Sequence, residues 1–132
     1  MTTAERRAHT LKEIVAWNLT VLLAAVYVWS GWLTASGAES MVEAFERFGL
    51  PDWFRVTLGV AELAAGLLLL IKPLVGLAAL GLSFLMLGAL LTHLIHDPLI
   101  ASVGAIFMLA LLGLLMWLRR PVLPPFLQKI LC

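Results

Sequence analysis

Four apolar runs constrain this chain more than any other feature. They cover about residues 14–33, 54–71, 74–95 and 99–118. Each approaches the ~20 residues that an α-helix needs to cross the hydrocarbon of a bilayer. Together they leave no soluble alternative: 62% of the residues are hydrophobic, 13% are charged, and mean hydropathy is +1.02. A water-soluble domain cannot hide that much apolar surface. The reading is an all-α integral membrane protein, a single domain over 1–132, built as a four-helix transmembrane bundle.

The connections support antiparallel neighbours. Only Lys72-Pro73 separates the second run from the third, and His96-Asp97-Pro98 separates the third from the fourth. Proline cannot continue a helix but suits the first turn of the next one. Thr2 to Glu13 is polar and has no signal-peptide pattern, so the first run reads as a retained span. Tryptophans mark the limits. Trp17 and Trp117 fall near one face, and Trp29, Trp32 and Trp53 near the other, where indoles favour the membrane interface.

Charge sets the expected orientation. Arg6, Arg7, Lys12, Lys72, Arg119, Arg120 and Lys129 fall on one side, and Arg47 and Arg55 on the other. Seven against two places both tails, 1–13 and 119–132, in the cytoplasm. The longest connection then lies outside. In it, Ser40-Met41-Val42-Glu43 matches a capping box. Met41, Phe45 and Phe48 follow at helical spacing, with Glu39, Glu43, Glu46 and Arg47 off that stripe. The spacing predicts a short amphipathic helix over about 41–48, ended by Gly49-Leu50-Pro51. Gly59 with Gly66, and Gly81 with Gly88, share faces that allow close helix packing.

Glu62 is the only ionisable side chain between Val56 and Ile71. A carboxylate at that depth costs ~2.5–3.5 kcal/mol on insertion scales, so it calls for a partner, a cavity or a ligand. By depth it lies in the outer half, level with Tyr27, Trp29 and Ser30 of the first span and with His93 near the end of the third. Arg55, seven residues earlier, shares its face. Four readings are open. Glu62 hydrogen-bonds His93 or Arg55 and fixes helix register. Alternatively, Glu62, His93, Arg55 and Tyr27 form an outward-facing pocket for a quinone or other small lipophilic ligand, clasped by Trp29, Trp32 and Met86. A third is a Glu–His proton relay, since imidazole titrates near neutrality. The weakest is a metal site from His93, His96 and Asp97 with Glu62, at a spacing that favours no particular metal. Cys132, the single cysteine, forms no internal disulfide and no cysteine metal site. The sequence carries no self-sufficient catalytic or cofactor motif and no basic nucleic-acid surface.

The order of features resembles the DoxX-like family of small four-helix membrane proteins. The residues that carry the likeness are Phe45-Glu46-Arg47-Phe48-Gly49-Leu50-Pro51, then Gly59-Val60-Ala61-Glu62-Leu63 with Gly66. Pro73-Leu74, Gly76 to Leu82, Met86-Leu87-Gly88-Ala89 and Thr92-His93 follow. The likeness spans about Gly31 to His93. One departure is Gly31-Trp32-Leu33-Thr34, where a lysine is expected. The resemblance implies a bacterial inner-membrane protein. Some relatives are subunits of thiosulfate:quinone oxidoreductase, and an animal relative is an assembly chaperone. It thus implies a redox-associated accessory subunit with a redox enzyme partner, or as a homodimer. The alternative is a membrane scaffold or assembly chaperone, with helix 41–48 as the docking element and no ligand chemistry.

Overall fold

A computed structural model describes residues 2–118. Those residues form five α-helices and no strand. The helices are α1 (Thr3–Ser36), α2 (Glu39–Arg47), α3 (Asp52–Leu68), α4 (Val75–His96) and α5 (Ser102–Leu118). Short 3₁₀ turns, Lys72–Leu74 and Leu99–Ala101, precede α4 and α5. Three helical stretches are long and apolar enough to cross a membrane: Thr3–Ser36, Lys72–His96 and Leu99–Leu118. The chain is a multi-pass membrane protein, and its exposed Leu, Val, Ile and Trp side chains are suited to lipid.

Several boundaries differ from the sequence reading, each for a local reason. α1 begins eleven residues before Ile14, because Thr2 and Glu5 form the capping box that starts it. The Thr2 hydroxyl accepts the Glu5 N–H at 3.1 Å, and the Glu5 carboxylate accepts the Thr2 N–H at 2.8 Å. The charged segment 3–13 is therefore helix continuous with the apolar run. The expected box at Ser40 and Glu43 does not form: α2 starts at Glu39, and its N-cap, Ala38, offers no side chain to cap it. α2 does end where Gly49 allows. Gly49 sits at φ +74°, and the Leu50 N–H returns to the Phe45 carbonyl at 2.9 Å. α3 stops at Leu68, three residues short of Ile71, as turns at 69–71 prepare the Lys72-Pro73 corner. Its 17 residues extend roughly 25 Å against ~30 Å of hydrocarbon.

α1 and α3 run antiparallel along a seam of small residues. A Cβ on Gly59 would lie 2.5 Å from the Ala35 backbone nitrogen, and one on Gly31 would lie 2.5 Å from that of Leu63. Further along, Gly66 faces Tyr27 and Val28. The two backbones therefore touch, which only glycine permits at Gly31 and Gly59. Gly81 and Gly88 of α4 do not behave this way; nothing would meet a Cβ on either within 4 Å. α4 pairs with α5, and contacts of α3 with α4 and of α1 with α5 join the two pairs. Lys12 lies 5.9 Å from the Trp117 ring centre, so the start of α1 and the end of α5 share one end of the molecule.

The apolar core occupies that end. Leu23, Tyr27, Leu69, Leu82, Leu112 and Leu115 are almost fully enclosed, with Ala78 and Ala79 between them. At the other end α2 lies across the helices, with Phe45 buried, and the packing beneath it is hollow.

Candidate functional site

The hollow is a cavity of about 630 Å³ between α1, α2, α3 and α4. Its walls are mostly apolar. Phe45 and Phe48 come from α2 and its end, Phe54 and Leu58 from α3, and Met86 and Ala89 from α4. A few polar side chains interrupt them: Ser30 and Thr34 from α1, Glu62 from α3, and Thr92 and His93 from α4. Glu62 is only 8% exposed. Its polar neighbour is the Ser30 hydroxyl on α1.

Of the residues expected to form the site, Glu62, Met86 and His93 meet in this cavity. The other four do not line it. The Arg55 guanidinium instead donates to the Thr34 carbonyl, and to the Ala35 carbonyl at 3.4 Å, with Asp52 Oδ1 also at 3.4 Å. It closes the C-terminus of α1, where carbonyls lack helical partners and the helix dipole is negative. Trp29 and Trp32 are 64% and 57% exposed, so they face the surroundings rather than a ligand. Tyr27 is buried in the core, against Gly66 and within electrostatic reach of Glu62. Its hydroxyl has no hydrogen-bond partner among the described residues.

No ion pair among the described residues joins Glu62 to His93 or to Arg55, so the expected register-fixing pair does not form. His93 has a nearer partner. Its Nδ1 lies 2.7 Å from Asp97 Oδ2, one helical turn on. Asp97 also accepts from Arg47, with Nε 3.1 Å from Oδ1. The His93 hydrogen bond, chiefly, holds the Asp97 carboxyl below the usual carboxylate range; burial opposes it, and Arg47 adds to the lowering. Arg47 also stacks 5.0 Å over Phe48, whose ring meets His93 edge-on at 5.7 Å and His96 at 5.5 Å. This clasp fastens α2 to the end of α4, over the cavity. Sequence reasoning missed it: Arg47 was set off the apolar stripe of α2 with no partner named for it. The available signal was the His93–Asp97 spacing of four.

The weak metal candidates separate in the same way. His96 turns Nδ1 to the Thr92 carbonyl at 3.1 Å instead of joining His93 and Asp97. Among the described residues no three His, Cys, Asp or Glu side chains gather as a metal ion requires. The tail 119–132, with Cys132, Arg119, Arg120 and Lys129, lies outside the described residues.

The sequence profile of the DoxX-like family matches residues 18–119. The chain belongs to the DoxX-like family. The match extends well beyond Gly31–His93 and takes in all of α2 to α5, so both the clasp and the cavity of this DoxX-like protein lie inside the family region. Comparison with curated proteins and with solved structures returns no match.

Proposed function

We propose that this DoxX-like protein is a redox-associated accessory subunit that holds a quinone, or another small lipophilic molecule, beneath α2. The observation that carries this reading is the cavity. Its volume of about 630 Å³ is that of small-molecule sites, which run from ~300 to 1,000 Å³ and combine apolar walls with a few polar groups. Glu62 and His93 are the polar contacts we assign to the ligand head group, and Phe45, Phe48 and Met86 the apolar ones. With Nδ1 committed to Asp97, His93 offers Nε2 to a carbonyl or hydroxyl. The redox association rests on the family, and the partner we infer is a redox enzyme or a second copy of this chain.

The architecture we infer is one membrane unit of four spans, with α3 the shortest. α2 lies at the outer face of a bacterial inner membrane, as an amphipathic helix, and both termini are cytoplasmic. The distribution of Lys and Arg supports that orientation. A scaffold that docks partners through Phe45 and Phe48 is less well supported, because those rings pack against each other and Phe48 also meets His93 and His96 of α4.

The test is mass spectrometry of small molecules co-extracted with gently purified protein. Ala89→Trp fills the cavity from α4. A quinone recovered with the wild type and absent from a folded Ala89→Trp variant supports the reading. Equal recovery from both, or none from either, overturns it.

A further inference from the structure

Glu62 enters the cavity without a cation to answer it. The described arginines and lysines all lie elsewhere. Arg47 is held by Asp97, and Arg55 by Asp52 and the end of α1. Lys72 lies in the turn before α4, and Arg6, Arg7 and Lys12 lie at the opposite end of α1. Among the described residues His93 is the sole basic side chain lining the cavity, and it is engaged by Asp97. The wall supplies what a diffuse positive charge seeks. Four of the six phenylalanines in the sequence, Phe45, Phe48, Phe54 and Phe84, line it, together with Met41 and Met86. Phe48 already carries a cation on its ring, the Arg47 guanidinium.

A carboxylate in a cavity lined by several phenylalanines is an arrangement suited to organic cations. The rings attract the charge through their quadrupoles, apolar contact holds the substituents, and the carboxylate supplies the counter-charge. We propose that the cavity selects by charge: it takes a lipophilic organic cation, such as a hydrophobic amine, a quaternary ammonium or a phosphonium, in preference to an uncharged or anionic molecule of the same size. Glu62 is the residue that makes the selection. This rests on the reading that the cavity holds a small lipophilic molecule, and it names the class of that molecule.

Tetraphenylphosphonium and tetraphenylborate share a shape and differ in the sign of charge. Binding of each is measured by equilibrium dialysis against the full chain in nanodiscs of zwitterionic lipid, with empty nanodiscs subtracted and decylubiquinone as the neutral comparator. The expected result is saturable binding of the phosphonium, weakened at least about tenfold in Glu62→Gln and retained in Glu62→Asp. Decylubiquinone, which carries no charge, should bind more weakly than the phosphonium. Equal binding of phosphonium and borate, or phosphonium binding indifferent to Glu62→Gln, overturns charge selection. Decylubiquinone binding without phosphonium binding also overturns it, while leaving the underlying reading intact. If no probe binds, both fall. Unchanged thermal unfolding of the two variants shows that the comparison is between folded proteins.

Discussion

The two ends of this molecule use the same helices in opposite ways. Toward the end shared by the start of α1 and the end of α5, leucines and alanines interlock in an enclosed core. At the end covered by α2, the helices spread around a cavity of about 630 Å³ lined by Phe, Met and a few polar groups. The α1–α3 seam runs through both, since Gly31, Gly59 and Gly66 keep those two backbones in contact along most of α3. The lesson is that the hollow is not loose packing. One wall is locked to another by glycine, and the roof is fastened by a charged clasp. Stability and the proposed binding therefore fall at different ends, and substitutions should separate them.

The largest effect is expected on the seam. Gly59→Leu forces side-chain atoms into the Ala35 backbone, where even a Cβ would sit at 2.5 Å. It should destabilise by about 3 kcal/mol or more, or prevent recovery of folded protein, as read by thermal unfolding in detergent. Next come truncations matched across the two ends. Leu82→Ala in the closed core should cost about 2–4 kcal/mol, whereas Met86→Ala, one turn further along α4 where the core edge meets the cavity wall, should cost about half as much. Equal losses would erase the distinction between the two ends.

The clasp provides a pH test of the roof. The Asp97 carboxyl is held below its ordinary range, chiefly by the His93 hydrogen bond. Its contribution is present above the ordinary carboxylate value and is lost as pH falls through the depressed one. α2 should therefore stay fastened through mildly acidic pH and release only below the ordinary carboxylate range. A nitroxide on α2, placed by Glu43→Cys in a Cys132→Ser background, reads this as a gain in mobility. Asp97→Asn should show that mobility already at neutral pH, and a label equally immobile in that variant would discount the clasp. The smallest effect is expected at Trp29 and Trp32. Their replacement by Ala should leave ligand affinity within about twofold, because both face away from the cavity.

These contrasts also explain what the sequence made legible. The apolar runs and the helix over α2 follow from periodicity and rise, which are properties of a single segment. Partner choice is not. Arg55 shares a face with Glu62, yet the carbonyls at the end of α1 lie nearer to its guanidinium. His93 was placed opposite Glu62 by depth alone, but Asp97 is one turn away on the same helix and pairs with it at little ordering cost. Trp29 and Trp32 illustrate the same limit: depth locates an indole along the bilayer, while rotation about the helix decides whether it meets lipid or a ligand. The extended start of α1 was masked by its charge, although Thr2 and Glu5 carried the capping signal.

A small lipophilic molecule seated under α2 can be caught by photolabelling. A decylubiquinone analogue bearing a diazirine is irradiated with the protein in nanodiscs, and the labelled peptides are sequenced. Labels should concentrate on Met41, Phe45, Met86 and Ala89 and be displaced by excess decylubiquinone. Labels spread over Trp29, Val60 and Leu87, with no displacement, would contradict it.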